Sequence, residues 1–154
     1  MNTMVRAEAV YAQLEVPDSS ALFDLVGADL CRSGFVRETF AQALTQREAN
    51  FPTGLPVSGG VAIPHTDAEH VLVDIIAVVT LRNPIRFWVM AGGEDDVIEV
   101  STVFVLALSD PDQHVTLLPR IVKLIQDEAF IGSLHEATGA AMIAELANRA
   151  LAGG

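Results

Sequence analysis

Leu22, Val26 and Leu30 recur at every fourth position within "SSALFDLVGADLCRSG", the spacing that places side chains on one face of a helix. Asp18 stands ahead of that run as a helix N-cap, and Gly34 stands behind it as a left-handed stop. A second helix is predicted over residues 37–50, with Phe40 and Leu44 on its buried side and the breaker-rich "FPTGLP" as its exit. This helix carries Arg47 and Glu48 near its C-terminal end. The pattern then changes to Val- and Ile-rich runs, "GVAI", "VLVDIIAVVTLR", "IRFWVM" and "VIEVSTVFVLAL", separated by Pro, Gly and acidic residues. These predict four strands.

From Asp110 the helical period returns, with Val115, Leu118, Ile121, Val122 and Ile125 as an apolar stripe behind a "DPDQ" start signal. Pro119 falls inside that stripe. A proline in a helix interior forfeits the bond to the carbonyl four residues back and costs about 3 kcal/mol, so a kink or a later start is expected. A further helix pair is predicted from Glu128 to the C-terminus, with Thr138 as a candidate cap. Helices at both ends with strands between make an α/β sandwich. No internal repeat, low-complexity tract or linker-like shift interrupts the chain, so residues 1–154 read as a single domain.

Composition narrows the function classes. The chain is 51% hydrophobic and 19% charged, which suits a packed globular core. Its longest apolar stretch, residues 71–81, is broken by Asp74 and is too short for a membrane-spanning helix. The first twenty or so residues have no continuous apolar segment of the kind export signals carry. A lone cysteine, Cys31, fits a reducing compartment, and together these predict a cytoplasmic protein without membrane insertion. Nine basic residues against 20 acidic ones give a net charge of -11, which disfavours nucleic acid and favours a partner with a basic face.

The chain lacks the Walker-type loop, the strand-linked "GxGxxG", the "GxSxG" elbow and the "HExxH" helix, so its candidate chemistry rests on four histidines, His65, His70, His114 and His135. His65 is the best placed. Pro64 fixes its own φ, keeps Ile63 extended and donates no hydrogen bond, so the strand should end abruptly with the imidazole at its mouth. His114 follows the strand ending at Leu108, and ligands in such sheets sit outside strand ends. His70 in a polar loop and His135 in a C-terminal helix read as solvated or packing residues. A neutral imidazole suits nucleophilic attack on phosphorus at neutral pH, and the protein then needs donors for the phosphoryl oxygens, which Arg47 and His114 can supply. The competing use of His65, Asp67, His70 and His114 is a metal site, although their spacing does not align ligands on one helical face.

Three segments, "QREANFPTGLP", "GVAIPHTDAEHV" and "VFVLALSDPDQHVTLLPRIVKLIQD", resemble the A components (enzyme IIA) of the bacterial phosphoenolpyruvate-dependent sugar phosphotransferase system (PTS), in the fructose and mannitol superfamily. The most specific part is Val61, Ala62, Ile63, Pro64 and His65, preceded at family-like distance by Asn50 and Val57. Ser58 and Thr66 depart from the family pattern, the first standing where Gly or Ala is usual and the second where Gly, Ala or Cys is usual. The resemblance implies a mixed β-sheet flanked by helices. It also implies that His65 accepts phosphate from the phosphocarrier HPr and passes it to a IIB component, with no cofactor and no metal. His114 and Arg47 would stabilise the phosphohistidine, and Thr53, Thr66 and Asp67 are further candidates for its support. Thr66 could set a hydroxyl beside the phosphoryl group, and Asp67 is a candidate partner for the other ring nitrogen of His65, against the plainer reading of an exposed loop carboxylate. The "REANFPTG" wording looks most like the galactitol-type proteins. Two other readings stand beside transport: a regulatory IIA-like module whose phosphorylation state controls a partner protein, and a His-dependent metal hydrolase.

Overall fold

The sheet is built around its two longest strands, because only they carry enough consecutive β-branched residues to be buried on both faces. The computed structural model describes residues 4–153. Strands β1 (Val10–Leu14), β2 (Gly54–Leu55), β3 (Val61–Ala62), β4 (Ile75–Trp88) and β5 (Val97–Ala107) form one mixed sheet of five strands in the order β1-β4-β5-β3-β2. β4 and β5 pair antiparallel along their length, while β1 on β4 and β3 on β5 are parallel.

Alternate residues of the long strands serve two cores. Ile75, Ala77 and Val79 of β4, with Val103 and Val105 of β5, pack against helices α1 (Ser19–Arg32) and α2 (Phe40–Asn50) through Phe23, Val26, Phe40 and Leu44. Ile76, Val78, Phe104 and Leu106 face the other way, onto α3 (Pro111–Leu124), α4 (Glu128–Glu136) and α5 (Ala140–Gly153). The expected helix-flanked α/β sheet is therefore the observed one.

The predicted first helix is α1. Asp18 accepts a hydrogen bond from the Ala21 amide at 2.9 Å, and Gly34 takes a positive φ of 85° at its end. α2 begins at Phe40, later than predicted, because residues 37–39 are engaged elsewhere: Arg37 donates to the Glu69 and His70 carbonyls, and Thr39 bonds His70. A Cβ on Gly27 would lie 2.6 Å from the Ala41 Cβ, so the close approach of α1 and α2 needs a glycine there.

The strand count differs from the sequence expectation of four. "VLVDIIAVVTLR" and "IRFWVM" merge into β4, whose pairing with β5 shifts register between Thr80 and Ile85, and Pro84 sits within that irregularity where no ladder donor is required. β1 and β2 were not predicted, and "GVAI" contributes only Val61 and Ala62 to the ladder.

The helix after Asp110 does not start late. It begins at Pro111 with Asp110 as its cap and continues through Pro119. Pro119 is exposed, so water can satisfy the carbonyl of Val115 that lacks its usual amide partner. Pro119→Ala is expected to raise the unfolding free energy by about 1–3 kcal/mol, measured by urea denaturation. Val115 does not join the buried stripe: it is 77% exposed, while Leu117, Leu118, Ile121, Val122 and Ile125 turn toward the core. α5 starts at Ala140, which puts Gly139 rather than Thr138 immediately before its first residue.

Candidate active site

The stretch leading to His65 is steered by backbone shape. Ser58, Gly59 and Gly60 all have positive φ, and a Cβ on Gly60 would collide with the Glu99 carbonyl, so this turn lays β3 directly against β5. Ser58, which departs from the family pattern, adopts a left-handed φ of 49° that glycine would take without strain. Past β3, the Leu106 amide donates to the Pro64 carbonyl at 2.9 Å, and His65 bridges Leu106 in parallel register. His65 therefore emerges at the end of a strand, as Pro64 led us to expect.

β5 ends beside it, and α3 starts from there. Ser109 is fixed by Asp74, whose Oδ1 accepts from the Ser109 amide at 2.7 Å and from its hydroxyl at 2.6 Å. This tether joins the entry of β4 to the exit of β5 and sets where the first turn of α3 lies. His114, on that turn, comes to 5.7 Å from His65 between ring centroids. Arg47 reaches the same place from the last turn of α2. Arg47, His65, Thr66, Asp67, Ala68, Pro111, His114 and Leu118 line one cleft of about 460 Å³.

The hydrogen bond at the centre assigns the imidazole tautomer. His65 Nδ1 lies 2.9 Å from the Ile63 carbonyl, which can only accept, so Nδ1 carries the proton and Nε2 holds the free lone pair. Asp67 is not the partner of that nitrogen. Burial and then the nearby Arg47 and His114 hold His65 below the ordinary histidine value, outweighing the opposing pull of Ile63 and Asp67. His114 is lowered for similar reasons, burial first and Arg47 second. Both rings are therefore neutral at pH 7, the state a nucleophile and a neutral donor require.

Two nitrogens in the cleft stand without partners. Among the described residues, Arg47 Nε and His114 Nε2 are buried and make no hydrogen bond. A buried polar atom left unpaired is costly, and an anion in the cleft would relieve that cost. Arg47 is otherwise held by the Phe51 ring, 5.3 Å from its guanidinium carbon, and by Asp67, 3.6 Å from its Nη1. Phe51 was missed from sequence, although it follows Arg47 at helical i+4 spacing.

The other candidates fall outside the cleft or play different parts. Thr53 does not line it: its amide and hydroxyl donate to the Glu48 carboxylate at 2.7 and 2.8 Å, closing the chain behind α2. Burial raises the affinity of Glu48 for a proton, against the lowering influence of Thr53 and Arg47. Thr66 is 3% exposed and its hydroxyl is already directed to the Asp67 carbonyl at 2.9 Å. His70 bonds the Thr39 hydroxyl at 2.8 Å and His135 bonds Thr102 at 2.7 Å, so both serve packing. Among the described residues no three His, Cys, Asp or Glu side chains converge to hold a metal ion, and no helix is long and apolar enough to cross a membrane.

Burial depresses the proton affinity of three imidazoles, His65, His114 and His135. Below about pH 6.5 the unfolded chain binds protons that the folded chain resists, so acid favours unfolding. Stability is thus complete above that pH and is lost as pH falls through the lower folded-state values. These imidazoles should lower the melting temperature between about pH 7.5 and about pH 5.5, against the opposite pull of Glu48, and His135→Gln should lessen the drop.

Residues 3–149 match the family described as phosphoenolpyruvate-dependent sugar phosphotransferase system, EIIA 2. The galactitol-specific EIIA component of the PTS of Escherichia coli K12 is 30% identical over 118 residues, covering 76% of this chain and 77% of that protein. The transcriptional regulator ManR of Bacillus subtilis is 30% identical over 131 residues, 84% of this chain but 19% of the regulator. In the solved complex of enzyme IIAMTL and phosphorylated enzyme IIBMTL from Escherichia coli, the matching chain has a TM-score of 0.74 at 23% identity, with 97% of this chain and 99% of that one covered. The chain belongs to the EIIA type 2 family of the sugar phosphotransferase system, whose domains transfer phosphate between proteins by way of histidine.

Proposed function

We propose that this chain carries a phosphoryl group on His65 Nε2, accepting it from phospho-HPr and passing it to a IIB component in the cytoplasm. The observation that carries the reading is the bond from His65 Nδ1 to the Ile63 carbonyl, which leaves Nε2 as the nucleophilic atom of a neutral ring. As Nε2 attacks, the donor phosphorus–nitrogen bond breaks with its electron pair returning to the donor ring. A phosphorus–nitrogen bond forms at His65. The proton stays on Nδ1, hydrogen-bonded to the Ile63 carbonyl, so His65 can later leave as a neutral imidazole.

The transferring group passes through a loose, metaphosphate-like state whose charge lies on its oxygens. Arg47 and His114, each with an unpartnered buried nitrogen, are the donors for those oxygens. The acidic surface of the chain would speed encounter with partners that present basic faces. Likeness to the galactitol-specific component supports uptake of a sugar alcohol of that kind. The regulatory reading draws support from ManR, which aligns over more of this chain.

Incubation with phosphoenolpyruvate, Enzyme I and HPr should place acid-labile phosphate on the chain, with none when HPr is omitted. A galactitol-type IIB should then discharge it. Discharge by no IIB, together with phosphate-dependent binding of a regulator, would favour the second reading.

A further inference from the structure

We propose that Asp67 competes with the phosphoryl group for Arg47 and thereby raises the phosphoryl-transfer potential of phosphorylated His65. The proposal rests on His65 being the carrier. Its own observation is that the cleft holds an anion of the protein's making. Asp67 lines the cleft with a side chain that is 74% exposed, and its Oδ1 stands 3.6 Å from Arg47 Nη1. That separation exceeds hydrogen-bond contact, so the pair is held by charge and is open to exchange. The backbone beneath it is pinned: the buried Thr66 hydroxyl donates to the Asp67 carbonyl at 2.9 Å. Thr66, one of the two departures from the family pattern, thus fixes where the carboxylate begins.

Arg47 is the cation in the cleft that both anions can use, since the two imidazoles are neutral at pH 7. A phosphoryl group on His65 Nε2 brings more charge than one carboxylate and would draw the Arg47 guanidinium, including its unpartnered Nε. Asp67 is then left unpaired beside a second anion. The phosphorylated state bears that repulsion and the unphosphorylated state does not. The effect is to make the group easier to pass on, which suits a relay better than tight retention. Asp67 acts through Arg47 and through its charge, without bonding to the phosphorus, and is a positioning residue.

The test measures the equilibrium of phosphoryl exchange between phospho-HPr and three forms of the chain: wild type, Asp67→Asn and Asp67→Glu. Asp67→Asn should shift that equilibrium toward the phosphorylated chain by about two- to fivefold, the scale of an exposed ion pair. Asp67→Glu, which keeps the charge, should behave as wild type. The gap between wild type and Asp67→Asn should close in about 1 M salt, where charges are screened within about 3 Å. A purely structural role would not produce that salt dependence. An Asn variant equal to wild type at low salt, or one shifted toward the unphosphorylated chain, would overturn the proposal while leaving the carrier reading intact. Failure of wild type itself to take label from phospho-HPr would overturn both.

Discussion

His65→Ala should take up no phosphate from phosphoenolpyruvate, Enzyme I and HPr, with label below the detection limit of an assay in which wild type is filled. The other histidines have different surroundings. His70 is tied to Thr39 and His135 to Thr102, and neither lines the cleft. His114 does line the cleft, and label on it in place of His65 would contradict its assignment as a supporting donor. The substitution should leave the fold standing, because the hydrogen bond it removes joins His65 only to Ile63, two residues away. Unchanged circular dichroism together with absent label separates lost chemistry from lost structure. Label at the wild-type level in this variant would remove the basis of the proposed mechanism.

Arg47→Ala should still be phosphorylated, but with the rate of transfer from phospho-HPr lowered by about 100-fold in rapid-quench experiments. Removal of one preorganised donor from a developing anion costs about 10² to 10³ in rate, and the partial exposure of Arg47 places it at the lower end. Arg47→Lys should recover only part of the loss, since an ammonium lacks the planar fork that spans two oxygens. His114→Ala should behave similarly, accepting phosphate slowly and holding or passing it poorly. A rate unchanged in His114→Ala would demote it to a loop histidine, and an unchanged rate in Arg47→Ala would mean that Phe51 and Asp67 hold its guanidinium away from the phosphoryl group.

How much of this was legible in the sequence follows from how local each signal is. α1 could be read because its cap at Asp18, its stripe and its stop at Gly34 all lie within one run. His65 could be singled out because the constraint that places it is Pro64, its immediate neighbour. β1 and β2 could not be read: they are short and exist through pairing with β4 and β3, which the local pattern does not encode. The fusion of two predicted strands into β4 was hidden by Pro84, which reads as a terminator but sits at a register shift.

The site shows the same divide. Arg47 and His114 were chosen for chemical type and resemblance, and only the shared cleft brings them together with His65. Thr53 was a candidate for supporting the phosphohistidine and is engaged by Glu48, a contact between neighbours in sequence that no apolar period reveals. The tether from Asp74 to Ser109 joins two strand ends far apart in the chain, so nothing local announces it.

The most direct test of the account is nuclear magnetic resonance of the phosphorylated, nitrogen-15-labelled protein, observing the imidazole nitrogens of His65 and their coupling to phosphorus. The predicted result is phosphorus bonded to Nε2 of His65, with Nδ1 still protonated at the Ile63 carbonyl. Phosphorus on Nδ1, or on any other residue, would contradict it.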